Sequence, residues 1–358
     1  MDVPASVEGL LTGGPVPLPG LPERCARVGV VLLDAFGRRF LERHADHAFL
    51  RRLAVTPLRT QFPSTTTAHI TTMHTGRPVG EHGLYEWNVL EPELGAIVTP
   101  LRFTYAGGRG PLPLDPAVLF PDGTLYERLG ARSVVLQPSS FSPSTYDGVA
   151  TAGAQLRPYG TLSGGVGALF DALSDPGYAY LYWDRIDQAG HEHGPDSPRF
   201  DAAALEALDR LEAGLRRIPG AVLIVTADHG QVPVDPLRVD YLDELWSGLV
   251  PLLRHRPAGS ARDVFLHTGA VAEVVAGLSA VLGPRAEVHV VDDLVAAGAF
   301  GVAGPRLRAR LGDVCVLPAA GRMAWLRAAA GHEQVFRGHH GGLHPDEVDT
   351  WAGVLDLG

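Results

Sequence analysis

Apolar residues along the chain fall into two kinds of run. The continuous runs VGVVLL (28–33), SVVLQ (133–137), YAYLYW (178–183) and AVLIVTA (221–227) have the β-branched and aromatic content of buried strands. Strands buried on both faces read this way in a parallel sheet. VTPLRTQF (55–62) predicts a further short strand. Between these runs lie segments of helical spacing or composition. Residues 38–53, 124–130 and 165–173 predict helices. Residues 197–218 predict an amphipathic helix, with Phe200, Ala204, Leu205, Leu208, Leu211 and Leu215 near helical spacing. PSTTTAHITTMHTG (63–76) predicts a turn, a short helix and a glycine stop. This alternation predicts a doubly wound α/β fold whose site lies at the carboxyl ends of its strands.

Two segments depart from the pattern. Residues 1–27 are rich in Pro and Gly, weakly patterned, and predict an N-terminal arm. In 236–312, RDVFLHT (262–268), a helix over 270–282 and AEVHVVDDL (286–294) predict a small α+β unit beside the sheet. LGDVCVLP (311–318) then predicts a strand returning to the sheet. The expected organisation is a core of 28–235 and 313–358 with an inserted cap of 236–312. No internal repeat, heptad run or low-complexity tract is present.

Composition narrows the function classes. The chain has 358 residues, 46% hydrophobic and 20% charged, which suits one large or two ordinary globular domains. A net charge of −10 argues against a nucleic-acid polymer as partner, because phosphate backbones reward cationic surface. Cys25 and Cys315 stand in unrelated contexts, which excludes a disulfide framework, a thiolate zinc finger and a CxxC redox site. No basic segment followed by an apolar stretch opens the sequence, and the apolar runs are far shorter than a membrane span. A cytoplasmic location with no membrane partner is the expectation.

The 15 His residues cluster, and they accompany acids. Asp34 and Asp228 follow the two most apolar strands, and Asp187 lies four residues beyond YAYLYW. A single Asp in such a place commonly caps a turn. Here Asp187 precedes His191 by one helical turn, His229 follows Asp228, and GHHGGLHPDE (338–347) adds His339, His340 and His344. Carboxylate oxygen and imidazole nitrogen are ligands for zinc or manganese. Three Asp and three His exceed the needs of one tetrahedral ion and suffice for two. Paired cations about 4 Å apart clamp the attacking and leaving oxygens of an in-line phosphoryl displacement. A nucleophile is then needed. Ser64, Thr65, Thr66 and Thr67 stand at an expected helix start, where amides and the helix dipole favour an anion. Composition does not choose among these four hydroxyls.

The pieces VVLLDAFG (30–37), FPSTTTAHITTMHTGRPVGEHG (62–83), DQAGHEHGP (187–195), ADHG (227–230) and GHHGG (338–342) resemble, in this order, the alkaline phosphatase superfamily. The resemblance is to its nucleotide pyrophosphatase/phosphodiesterase branch, and it spans Asp34 to His340. It implies a mainly parallel sheet sandwiched between helices with a smaller inserted α+β cap. Laid on Pro63 and Thr75-Gly76, the family pattern selects Thr66 as nucleophile. It implies one metal held by Asp187, His191 and His340. A second is held by Asp34, Thr66, Asp228 and His229, and both are usually zinc. The implied substrate is a small phosphate ester or nucleotide, cleaved at a phosphodiester or pyrophosphate bond through a covalent phosphothreonine.

This chain departs from the pattern in two places. Related members often carry Pro-Asn where Ala68-His69 stands. An Asn that holds a phosphoryl oxygen has Trp87 or Asn88 as its counterpart. A sulfatase reading fails, since neither Cys lies in a C/S-x-P-x-R setting. The alternatives are a phosphomonoesterase or a phosphonoacetate-type phosphonate hydrolase on the same metal core, or a non-catalytic metal-binding protein. His69, His74 and His82 read as helix or turn residues, His344 is a reserve ligand, and the Arg-rich 305–310 segment reads as a solvated helix face or a partner to the acidic surface.

Overall fold

A computed structural model describes residues 1–108, 110–120, 122–327 and 333–358. Six strands of the main sheet are β1 (Arg27–Leu33), β2 (Ala54–Arg59), β3 (Ser133–Pro138), β4 (Gln155–Tyr159), β5 (Gly177–Trp183) and β6 (Ala221–Thr226). Four further strands, β7 (Ala258–Ser260), β8 (Asp263–Leu266), β9 (Ala286–Val290) and β10 (Val314–Pro318), form a separate antiparallel sheet in the order β7-β8-β10-β9. The chain then rejoins the first sheet as β11 (Asp349–Asp356). The main sheet has seven strands in the order β2-β11-β6-β1-β5-β3-β4. All its pairings are parallel except those made by β11.

Side chains alternate across this sheet as the pleat requires. Val28, Val30, Leu32, Tyr178, Tyr180 and Tyr182 enter one core, and Val31, Leu33, Ala179, Leu181 and Trp183 enter the other. The first core takes residues of α1 (Asp2–Thr12) and α2 (Thr66–Thr75). The second takes residues of α3 (Leu162–Ala172), α4 (Arg185–His193) and α5 (Pro198–Gly214). The fold is thus the expected mainly parallel sheet between helices. α6 (Val271–Leu282) covers the small sheet, with Val274, Leu278 and Leu282 against Val264, Leu266, Val314 and Val316.

Four expectations are corrected. Residues 1–27 are no free arm: α1 buries Val3, Val7 and Leu10, and Ser6 Oγ accepts the Leu18 amide at 3.0 Å. Its apolar stripe is short and hidden among Pro and Gly. Residues 38–53 hold only a helix over Arg38–Arg43 and a 3₁₀ turn over Leu50–Arg52. The 311–318 strand joins the small sheet at β10, beyond the expected cap end at 312, and β11 makes the return. Finally, 305–310 is no fully solvated face, since Arg310 is buried against Glu91 at 2.9 Å. No helix among the described residues is long and apolar enough to cross a membrane.

A buried ion pair joins the two sheets. Arg262 Nε and Nη2 donate to the two Glu347 oxygens at 3.0 and 2.9 Å. Arg262 Nη1 donates to the Pro318, Ala319 and Arg322 carbonyls. Glu347 Oε1 also accepts the Gly342 amide at 3.1 Å. Removing one partner strands the other's charge in the interior. Glu347→Leu is expected to cost about 3–5 kcal/mol of stability. Denaturant unfolding monitored by tryptophan fluorescence checks this.

Candidate active site

β5, β1 and β6 are adjacent and parallel, with Leu33 level with Trp183 and Leu32 level with Thr226. The residues emerging from this edge are Asp34, Asp184 and Ala227-Asp228. The Asp34 amide donates to the Trp183 carbonyl at 2.9 Å. Ala35 then takes a left-handed conformation (φ 60) that points its amide at Asp228 Oδ1, 3.1 Å away. α4 begins directly after Asp184 and sets Asp187 and His191 one turn apart on one face. His340 follows the strand pair Gly338–His339, which pairs with Val232-Pro233 just after the Asp228-His229 turn. Thr66 is the first residue of α2.

These side chains form two adjoining groups. Single donor atoms of Asp187, His191 and His340 lie within 4.8 Å of one another, and so do those of Asp34, Asp228 and His229. The His229 and His340 rings stack at 3.8 Å between centroids, which joins the groups. Thr66 Oγ1 sits in the second group, 3.4 Å from each Asp34 oxygen and 3.2 Å from His229 Nε2.

Main-chain oxygens decide what each imidazole presents. His191 Nδ1 donates to Gly338 O at 2.8 Å, His229 Nδ1 to Gly230 O at 3.0 Å and His340 Nδ1 to Ser64 O at 2.9 Å. In its neutral form each ring would therefore turn an Nε2 lone pair toward carboxylate oxygens. The separations are 3.3 Å for His191–Asp187, 3.6 Å for His340–Asp187 and 3.4 Å for His229–Asp228. Lone pairs facing one another need a cation between them. Asp228 Oδ2 is buried with no hydrogen-bond partner, which marks the same need. A mixed oxygen and nitrogen donor set fits borderline divalent cations, so these residues suit the two metals that the sequence resemblance implies.

The electrostatics agree. Burial, then repulsion by Asp228 and Asp187, holds Asp34 well above the usual carboxylate range, although the Tyr182 hydroxyl donates to its Oδ2. Burial likewise raises Asp228, against the opposing pull of His229. Burial also works against ionisation of Asp187, but His191 and then His340 overcome it and hold Asp187 below its ordinary value. Burial would lower His191, and Asp187 overrides that and raises it. His340 is pushed well down by burial and by His229.

The family model described as "Type I phosphodiesterase / nucleotide pyrophosphatase" matches residues 28–102 and 145–343. The chain belongs to that family. Its members are hydrolases, and this chain is an enzyme of the phosphodiesterase class. Among solved structures it is similar to murine ectonucleotide pyrophosphatase/phosphodiesterase 5, at 17% identity and a TM-score of 0.70, over 91% of this chain and 87% of that one. An inactive variant of the murine protein in complex with AMP matches with the same values. The human counterpart matches at 16% identity and a TM-score of 0.70, over the same shares. No curated protein matches by sequence.

Two supporting residues, Tyr182 and Gln231, carried no separate signal in the sequence, and Ser64 carried one only as a candidate nucleophile. Tyr182 supports Asp34, and Gln231 Nε2 donates to Asp187 Oδ1 at 2.5 Å. Ser64 supplies the carbonyl for His340, and its hydroxyl bridges the Gly341 amide and the Gly342 carbonyl. His69 is buried in α2, where Nδ1 donates to Thr65 O at 2.6 Å and Nε2 accepts the Gln61 amide at 3.1 Å. Burial pushes it down to about 3, so it stays neutral. His74 and His82 are likewise buried, with Tyr126 and Thr72 as partners. His344 is a helix cap that accepts the Asp346 amide. Asn88 bridges Thr99 Oγ1 and Gly259 O. Trp87 is 38% exposed with the Arg102 guanidinium 5.2 Å from its ring centre. No hydrogen bond or ion pair among the described residues links Trp87 or Asn88 to the two groups.

Divalent cations must displace protons held by Asp34 and His191, whose affinities for protons are raised. Zinc binding to metal-free protein is expected to release protons and to strengthen as pH rises. Titration calorimetry in buffers of different ionisation enthalpy checks both.

Proposed function

We propose that this chain is a two-metal hydrolase that cleaves phosphodiester or pyrophosphate bonds of small nucleotide-like substrates, with Thr66 as covalent nucleophile. The single observation that carries the reading is the place of Thr66 Oγ1. It lies at the start of a helix, within 3.4 Å of Asp34 and 3.2 Å of His229. AMP bound to the murine relative supports a nucleotide as substrate class.

Asp187, His191 and His340 would hold one cation, and Asp34, Asp228, His229 and ionised Thr66 the other, with zinc favoured by the imidazole content and manganese the alternative. Such cations supply Lewis acidity and ease ionisation of a hydroxyl. The remaining work falls to the protein. The amino end of α2 offers main-chain amides to a phosphoryl oxygen beside Thr66. Thr66 Oγ1 attacks phosphorus opposite the leaving oxygen, forming the Oγ1–P bond as the P–O bond to the leaving group breaks. A water molecule then cleaves the phosphothreonine ester and returns Thr66 to its hydroxyl form. Carbonyl anchors on the three His keep the donors fixed throughout.

A diester reading is favoured over a monoester one by charge. A monoesterase needs an added cationic side chain for its extra negative oxygen. Among the described residues no Arg is hydrogen-bonded or ion-paired to the two groups. Trp87 is the proposed substrate contact with a partly free ring, and Asn88 contributes only if its amide leaves Thr99. Thr66→Ala is expected to lower kcat by about three orders of magnitude or more while about two metals per chain remain bound. Bis-p-nitrophenyl phosphate is expected to turn over faster than p-nitrophenyl phosphate. Steady-state rates and metal analysis check this, and near-full activity of Thr66→Ala overturns it.

A further inference from the structure

Gln231 stands two residues beyond His229, on the turn that carries part of the second group of donors, yet its side chain reaches the first group. It is fully buried. Its Nε2 donates to Asp187 Oδ1 at 2.5 Å and to the Asp187 main-chain carbonyl at 3.2 Å. One amide nitrogen thereby grips both the side chain and the backbone of the same residue. The other carboxyl oxygen, Asp187 Oδ2, faces His191 Nε2 at 3.3 Å. The chemistry proposed above gives Gln231 no part.

Charge fixes the orientation of the amide. Turned over, it would set Oε1 against the Asp187 carboxylate and carbonyl, three acceptors together with no proton among them. In the observed orientation Oε1 is instead buried without a hydrogen-bond partner. An orphaned buried acceptor costs stability. The fold tolerates that cost and keeps both donations on Asp187. An apolar side chain of similar size would fill the same space without it.

The slot around the amide is built from the segments that carry the other two ligands. Gly190 lies in α4 between Asp187 and His191. A Cβ there would stand 1.9 Å from Gln231 Oε1, 2.7 Å from its Cδ and 3.1 Å from its Nε2, the three nearest atoms outside that stretch of helix. Alanine is otherwise the better residue inside a helix, so the Gln231 amide is what requires glycine at this position. A Cβ at Gly338, two residues before His340, would stand 2.5 Å from the Gly190 carbonyl oxygen and 2.7 Å from Gln231 Oε1. Gly338 O also accepts His191 Nδ1 at 2.8 Å. The amide therefore sits where the segments of Asp187, His191 and His340 meet.

We propose that Gln231 is a positioning residue for the cation site of Asp187, His191 and His340, where it holds Asp187 in its ligating orientation and sets the affinity of that site and not of its neighbour. The inference rests on the two-metal reading above. Hydrogen bonds from outside the coordination shell orient a carboxylate ligand, and loss of such a partner weakens metal affinity about 10–100-fold. Without the amide, the Asp187 side chain gains rotational freedom that a cation must remove on binding. The second group has supports of its own. The Tyr182 hydroxyl donates to Asp34 and the Ala35 amide to Asp228, and neither contact involves Gln231.

The test titrates zinc into metal-free protein in competition with a chromophoric chelator. Wild type is expected to bind about two zinc ions per chain, and His191→Ala identifies which affinity class belongs to the first site. Gln231→Met, close in size and without N–H groups, is expected to weaken that class about 10–100-fold and to leave the other class unchanged. Gly190→Ala is expected to weaken the same class by itself, and to add little in Gln231→Ala, where its methyl meets no amide. Circular dichroism of the metal-free variants is expected to match wild type. Wild-type affinity in both classes of Gln231→Met overturns the proposal, and so does an equal loss in both. Loss of fold in Gln231→Met marks a structural role and overturns it as well, as do additive effects of the Gly190 and Gln231 substitutions. A wild type that binds no zinc removes the two-metal reading and this proposal together. A wild type with both zinc ions and an unshifted Gln231→Met removes this proposal alone.

Discussion

Carboxylates buried beside one another are the constraint around which this molecule is arranged. Asp34, Asp187 and Asp228 meet at one edge of the sheet, where desolvation and mutual repulsion oppose their charge. Such a cluster needs compensation, which bound protons or cations supply. The surrounding contacts make sense as a frame for those cations. Three carbonyls fix three imidazoles with Nε2 inward, Tyr182 and Gln231 hold carboxylate oxygens, and the left-handed turn at Ala35 delivers an amide to Asp228.

A parallel sheet supplies this geometry cheaply. Three adjacent strands pointing the same way end together, so residues distant in sequence emerge side by side. α4 adds Asp187 and His191 through its own periodicity. The elements that do not start from this edge, Thr66 and His340, are tied to each other through Ser64, whose carbonyl and hydroxyl hold the His340 loop. The turn that carries Thr66 and the loop that carries His340 are thus one structural unit.

The small sheet supports that unit from behind. Arg262 and Glu347 join it to the C-terminal segment, and Glu347 also holds the Gly342 amide two residues past His340. Asn88 couples β7 to the loop between His82 and Val89, donating to the Gly259 carbonyl. The small sheet therefore packs against the C-terminal segment through buried polar contacts.

The buried strands, the amphipathic α5 and the order of the Asp and His motifs were legible in the sequence, because hydrophobic period and ligand spacing are local properties of the chain. Asp187 and His191 could be placed on one face from their spacing alone. The helix over residues 2–12 and the destination of 314–318 were not legible. A buried strand carries no local mark of which sheet it joins, and a three-residue apolar stripe among Pro and Gly is too short to stand out. Tyr182 and Gln231 were equally silent, and Ser64 stood in the sequence as a candidate nucleophile where the fold uses it to hold the His340 loop, since each matters through what it meets across the fold. Which strands lie side by side, and hence which side chains share a buried space, is set by long-range packing, and only the tertiary structure decides that.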